Sequence, residues 1–233
     1  MMRFKQRLVS GRLVRRYKRF LADVRLADGQ VVTVHCPNSG SMLGCLNPES
    51  AVYLSRADNP GRKYPLTLEM IAVNDVWVGI NTGLTNRLVR EGLEQGIIDD
   101  FGPVAAIRAE VKVSARSRLD FRLTLANGQT AYLEVKNCTL AESGVALFPD
   151  AVTSRGAKHL EELMVLAGQG YEAAVLFCVQ RADADRFAPA ARIDPHYAAM
   201  LAKAARAGVR VLAWQATVTP EAIAVGRPLP VAW

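Results

Sequence analysis

Leu119-Asp120-Phe121-Arg122-Leu123-Thr124-Leu125, the turn Ala126-Asn127-Gly128-Gln129, and Ala131-Tyr132-Leu133-Glu134-Val135-Lys136 decide the fold of this chain. Both outer stretches alternate apolar and polar residues, the signature of half-buried strands. The parity of that pattern also chooses the turn. A two-residue Asn-Gly turn would set Phe121 against Glu134 and mix carboxylate with apolar on both faces, which a one-sided core forbids. A three-residue loop with Gly128 in the left-handed conformation sets Phe121 against Leu133 on the core side. Asp120 then faces Glu134 on the other side, with Lys136 one step along. Opposed carboxylates are unfavourable in a strand pair unless a cation lies between them. Two carboxylates and a lysine so placed are a minimal set for metal-assisted phosphodiester cleavage: hard oxygen ligands for Mg2+ or Mn2+, and a cation for charge growing in the transition state. The plainer reading is a solvated polar face.

The flanking sequence extends this unit. Residues 84–98 predict a helix with Leu84, Leu88, Leu93 and Ile97 on its apolar side and Glu91 on its surface. Residues 107–113 predict a strand with Glu110, Lys112 and Ser114 on one face. Glu91 or Glu110 is the auxiliary acid expected beside the metal; for either alone, a surface role is the simpler reading. Residues 153–168 predict a second helix with Leu160, Leu163, Met164 and Ala167 as its core stripe. Arg155, Lys158, His159 and Glu162 form another stripe, suited to holding a phosphate or orienting water. Residues 171–180 read as a central, fully buried strand.

The order helix, three strands, helix, strand over residues 82–180, with acids at Asp120 and Glu134 and the lysine at Lys136, resembles the catalytic core of the PD-(D/E)xK nuclease superfamily. Leu119 stands where that superfamily carries proline. Blocks along nearly the whole chain resemble one family more closely: residues 16–24 (RYKRFLADV), 35–42 (HCPNSGSM), 62–65 (RKYP), Asn81-Thr82, Asn86-Arg87-Leu88, 117–121 (SRLDF), 134–141 (EVKNCTLA) and 148–160 (FPDAVTSRGAKHL). They look like the sugar fermentation stimulation protein family. The resemblance implies a two-domain α+β / α/β chain: an N-terminal OB-like β-barrel over residues 1–82 and a PD-(D/E)xK, restriction-endonuclease-like mixed-sheet domain over 83–233. It also implies DNA binding without sequence specificity and a regulatory link to sugar (maltose) metabolism. Asp120, Glu134 and Lys136 fall on the superfamily's catalytic positions.

The N-terminal part supports a barrel independently. Residues 14–25, 31–36, 51–55, 66–73 and 76–80 read as five short strands, with Ala27-Asp28-Gly29 a hairpin turn and residues 37–41 and 58–63 loops. Net charge is +7, and nearly all of it lies in residues 1–82. Residues 1–22 hold eight basic residues and no acid, a composition suited to a phosphate backbone. Arg15, Arg16, Lys18 and Arg19, with Arg62 and Lys63 from the second loop, are the expected backbone contacts, joined by Arg155 and Lys158. Tyr17 and Phe20 either stack on bases or belong to the core. Loop 37–41 either offers amides to a phosphate or simply turns.

Beyond residue 180 the pattern predicts a loop over 181–189, a helix from Asp194-Pro195 to residue 207, and strands over 209–214 and 223–231. His196 near that helix start reads as surface. Cys36, Cys45, Cys138 and Cys178 lack the C-x-x-C spacing of a zinc site, and reduced thiols follow. No apolar segment follows the charged N-terminus and none is long enough to span a bilayer, so a cytoplasmic protein without membrane contact is expected. Three functions remain open on the residues: a Mg2+-dependent DNA nuclease, a DNA-binding regulator with a dormant nuclease fold, and an RNA-processing nuclease.

Overall fold

The computed structural model describes residues 1–59, 61–114 and 117–233, so Pro60 of the expected loop 58–63 lies outside the described residues. A two-residue strand, β1 (Met2–Arg3), precedes the barrel strands β2 (Val9–Tyr17), β3 (Leu21–Leu26), β4 (Val31–His35), β5 (Ala51–Arg56), β6 (Leu66–Val73) and β7 (Val76–Gly79). Their order is β4-β3-β2-β5-β6-β7, and a parallel pairing of His35 with Thr67 joins β4 to β6. That contact closes a five-stranded OB barrel and removes the open edges a sheet would otherwise leave unpaired. Leu13, Val24, Val34, Leu54, Leu68 and Val78 fill it.

Two expectations change here. The strand expected over residues 14–25 is two strands. The chain folds back at Lys18 and Arg19, whose φ angles are 47° and 61°. Neither glycine nor asparagine marks that turn, so the pattern gives no signal for it. Met2 and Arg3, expected in the barrel segment, instead pair with Ile223 and Ala222 in the second sheet.

The second region continues with a 3-10 turn (Thr82–Leu84), α1 (Thr85–Glu94), β8 (Val104–Lys112), β9 (Arg118–Leu125), β10 (Thr130–Cys138), β11 (Leu140–Glu142), β12 (Val145–Phe148), α2 (Ser154–Gly168), β13 (Glu172–Val179), β14 (Arg186–Pro189), α3 (Pro195–Arg206), β15 (Arg210–Val218) and β16 (Ala222–Pro228). The main sheet runs β1-β16-β15-β13-β10-β9-β8, with β10, β13 and β15 parallel and the outer pairs antiparallel. Strand β13 is buried on both faces: Ala174, Leu176 and Cys178 meet one core, and Val175, Phe177 and Val179 the other. A continuous apolar run is what a central strand under two layers requires. Helix α1 (Leu88, Val89, Leu93) covers the first face; α2 (Leu160, Leu163) and α3 (Leu201) cover the second.

Helix α1 stops at Glu94, short of the expected 98, and Ile97 is left exposed while Ile98 is buried. The segment expected as a loop over 181–189 contains β14, which pairs in parallel with β12 in a small sheet, β11-β12-β14. Barrel and main sheet pack together, with Met70 joining the core beneath α1 and Tyr53 and Trp77 packed against it. All four cysteines are buried free thiols. No helix among the described residues is long and apolar enough to cross a membrane.

Candidate metal and phosphodiester site

The hairpin takes the register its apolar parity demands. Leu133 pairs with Phe121, and Gly128 sits at φ 83° in the turn. The Leu125 N–H donates to the Gln129 carbonyl at 2.9 Å. The ladder then opens. Beyond Leu133, β10 continues in parallel with β13, Glu134 level with Val175 and Lys136 with Phe177. In place of a carbonyl, the Val135 N–H donates to Asp120 Oδ2 at 2.7 Å. Asn86 on α1 donates to Asp120 Oδ1 at 2.7 Å. The splay between β9 and β10 thus holds Asp120 by both oxygens.

The polar face of the hairpin is covered rather than solvated. Glu134 is 3% exposed, beneath α2. Its Oε1 accepts from Lys136 Nζ at 2.6 Å and meets His159 Nδ1 in a short contact. Arg155 Nε donates to His159 Nε2 at 3.5 Å. His159 thus bridges Glu134 and Arg155 through its two ring nitrogens. The α2 N-terminus that carries both residues is held by Thr153, whose hydroxyl accepts from the Gly156 N–H at 3.1 Å. The Thr153 N–H donates in turn to Asp194 at 2.8 Å, and Asp194 also caps α3.

Electrostatics separate the two acids. Burial, then the Glu134 charge, pushes Asp120 up to about 6, against the Val135 and Asn86 hydrogen bonds and the Lys136 charge. Burial works the same way on Glu134, but the His159 hydrogen bond and the Lys136 charge outweigh it and hold this carboxyl below its usual range. Two nearby carboxylates, one ionised and one poised near neutrality, match the environment of paired acids at functional sites.

One oxygen of Glu134, Oε2, is buried without a hydrogen-bond partner. An unpaired anionic oxygen next to a second carboxylate is costly, and a hard divalent cation bound to oxygen would relieve both burdens. The donor set therefore fits Mg2+, Mn2+ or Ca2+, held by Asp120 and Glu134. Among the described residues no group of three or more His, Cys, Asp or Glu is placed to hold a metal. Mg2+ accommodates this, since it keeps waters and substrate phosphates beside one or two carboxylates.

The two expected auxiliary acids are not in that set. Glu91 pairs with the Met1 amino group at 3.1 Å. Glu110 lies level with Asp120 across β8 and β9, flanked by the pairs Ala109–Phe121 and Val111–Leu119. Its φ is 53°, and it is exposed on the edge strand.

A cleft of about 660 Å³ opens over Asp120 and Lys136, lined by Asn86, Asn137 and Arg155 from the second region and by Arg19 and residues 38–40 from the barrel. Arg155, Lys158 and His159, with Arg118, line an adjoining hollow of about 430 Å³. Loop 37–41 thus forms a wall of the site. It docks on Asp150, whose Oδ2 accepts the Met42 N–H at 2.7 Å.

Arg16, expected at a phosphate, is committed to this loop. Its guanidinium donates to the carbonyls of Asn38 (2.7 Å), Gly40 (2.9 Å), Ser41 (3.2 Å) and Arg19 (3.1 Å). Arg15 pairs with Asp23 at 2.8 Å and lies over Tyr17, whose hydroxyl also donates to Asp23, so Tyr17 is bound into the barrel wall. Phe20 and Lys18 are exposed, with Arg19 over the Phe20 ring. Arg62 contacts His35 at 2.8 Å, and Lys63 lies over Tyr64. Asn86 and Asn137 were not singled out for the site. An asparagine opening an amphipathic helix carries no signal until the helix is docked.

Comparison with known proteins agrees with this architecture. The family model described as "SfsA N-terminal OB domain" matches residues 14–80, and that described as "Sugar fermentation stimulation protein RE domain" matches residues 83–222. A sugar fermentation stimulation protein homolog of Geobacter sulfurreducens is 54% identical over 96% of this chain and 96% of its own. One of Pelobacter propionicus is 54% identical over 96% and 97%. The structure of Pyrococcus furiosus SfsA in complex with Ca2+ superposes with a TM-score of 0.89 at 25% identity, covering 100% of this chain and 98% of that one.

Proposed function

This chain belongs to the sugar fermentation stimulation protein family, and we propose that it is a DNA-binding, Mg2+-dependent nuclease that hydrolyses phosphodiesters in the cleft between barrel and sheet. The observation that carries this reading is the buried, unpartnered Oε2 of Glu134 beside the raised carboxyl of Asp120. The Ca2+ in the Pyrococcus furiosus relative supports it, since Ca2+ and Mg2+ draw on the same oxygen ligands.

A divalent cation held by Asp120 and Glu134 supplies Lewis-acid polarisation of the scissile phosphoryl group. The chain's own residues do the rest. His159 keeps Glu134 ionised and fixed in orientation. Lys136 Nζ stands 2.6 Å from Glu134 in the cleft wall, where it stabilises the charge that develops on phosphorus oxygens. Arg155 and Lys158 on one side and Arg19 on the other orient the backbone through its phosphates. The cations that line the cleft suit contacts to the phosphate backbone rather than to base edges.

A second reading, a DNA-binding regulator with a dormant site, draws on the lack of a third acid beside Asp120 and Glu134 among the described residues. Labelled single-stranded DNA, duplex DNA and RNA, incubated with Mg2+ or with EDTA, separate the two. The nuclease reading expects metal-dependent cutting that disappears in Asp120→Ala. Binding without cutting on all three substrates would refute it, and preferential cutting of RNA would make the protein an RNA-processing nuclease.

A further inference from the structure

A groove of about 950 Å³, sharing no lining residue with the site cleft, runs between the start of the barrel and the β15–β16 turn. Arg3, Lys5, Arg7 and Arg56 line it against two acids, Asp28 and Glu221. Lys5 pairs with Asp58 at 2.8 Å. Arg3, Arg7 and Arg56 are exposed, and their guanidiniums have no hydrogen-bond or ion-pair partner among the described residues. This sets them apart from Arg15 and Arg16 of the same basic block, whose donors the barrel uses. Three uncommitted guanidiniums around one concavity are the feature of an anion-binding surface that structure alone does not require.

The groove also has an aromatic wall. Tyr53 lines it and packs on Trp77 with ring centroids 4.9 Å apart; through Tyr53 it continues into a smaller hollow of about 300 Å³ bordered by Trp77. A cationic trough with aromatic rings is the arrangement that holds unpaired nucleotides, phosphates along the charges and bases against the rings. The location fits the same ligand as the site. Arg19 at the turned end of the β2–β3 hairpin lines the site cleft, and the open end, where Gly11 pairs with Leu26, borders the groove. Six residues of strand separate the two ends, roughly 20 Å.

We propose that this groove is a second binding site, for single-stranded nucleic acid, gripping the strand at a distance from the phosphodiester cleft through Arg3, Arg7 and Arg56. The proposal takes its ligand class from the nucleic-acid reading of the cleft but does not depend on cleavage there.

The test is binding of a fluorescein-labelled 20-residue oligo-dT to the full chain in EDTA, titrated across salt. The triple variant Arg3→Glu/Arg7→Glu/Arg56→Glu should bind at least about 10-fold more weakly. Its log K against log salt slope should flatten by about 2, since each single-strand phosphate contact contributes roughly 0.7. Arg7→Gln/Arg56→Gln, which leaves β1 untouched, should flatten it by about 1.4 on the same ground, and carries the test if the triple variant does not fold. An unchanged slope in both overturns the proposal. So does equal competition by polyglutamate, which reassigns the groove to acidic peptide, or stronger competition by duplex of the same length. Cleavage with Mg2+ is read separately on the parent chain: no cutting by the parent, together with a groove effect on binding, would refute the nuclease and leave the groove standing.

Discussion

The site cleft and the basic barrel surface use charge in opposite ways. At the site, Asp120, Glu134, Lys136 and His159 are buried or nearly so and lie within hydrogen-bond or Coulomb reach of one another. Low dielectric makes each of those interactions strong and each broken pair costly. On the barrel, Lys5, Arg7, Arg12 and Lys18 stand in solvent, where pair energies are small and salt screens them. In the proposed function, the first arrangement tunes protonation and chemistry, and the second sums weak contacts into affinity for a polyanion. Arg16 falls between them: it comes from the basic block, yet the loop carbonyls occupy its donors.

Four kinds of outcome would break or sharpen that contrast. The largest concerns Glu134→Gln, which removes the charge that His159 and Lys136 enclose. Metal-dependent cleavage should fall to background while oligonucleotide binding in EDTA stays unchanged. Lys136→Ala should lower the cleavage rate by about 10²–10³-fold, the scale for one transition-state charge donor. If either variant weakened binding as much as cleavage, the site would not be chemically separate from the gripping surface.

The next effect is pH-dependent. Asp120 rises from an ordinary 3.8 to about 6 in the fold. A carboxyl raised in the folded state favours folding while protonated, and that contribution is lost as pH rises through about 6. The penalty at pH 8 is on the order of 3 kcal/mol. Asp120→Asn should therefore raise Tm at pH 8, by up to about 2 kcal/mol of stability after one mismatched amide hydrogen bond is allowed for. That gain should shrink at pH 5. Thermal shift across pH, with EDTA, checks it; a gain that grew on acidification would contradict the raised carboxyl. Mg2+ should stabilise the parent chain more at pH 8 than at pH 5.5, because the ligands must be ionised.

Third, Arg16→Ala should cost about 1 kcal/mol, the scale for a hydrogen bond lost at a partly buried site, while the salt slope of DNA binding stays unchanged. A flattened slope with intact stability would return Arg16 to the phosphate contacts. The smallest effect is Lys5→Ala, whose pair with Asp58 is exposed on both sides. It should leave Tm within error in urea or thermal melts.

Much of the site was legible because strand parity is a strict constraint. A register slip of one residue would have buried Glu134 among Leu123 and Phe121, so the apolar pattern fixed the pairing of Phe121 with Leu133 and the face shared by Asp120 and Glu134. His159 was legible as part of a helical stripe. What the pattern missed depends on packing at long range. Glu91 and Glu110 match any acid on a helix or strand; only the packed chain shows that one pairs with the Met1 amino group and that the other has a positive φ on the edge strand. The turn at Lys18 and Arg19 carried no turn residue, and β14 gained its strand only by meeting β12.

The sequence by itself determined the two-domain order, the hairpin register, the Asp-Glu-Lys set and the basic N-terminus, because periodicity and composition act locally along the chain. Only the tertiary structure decided that α2 covers the polar face and leaves Glu134 Oε2 unpartnered, that loop 37–41 walls the cleft, and which arginines remain uncommitted. Those facts turn on which groups meet across tens to more than a hundred residues, and burial and desolvation, not residue type, set what each charge can do.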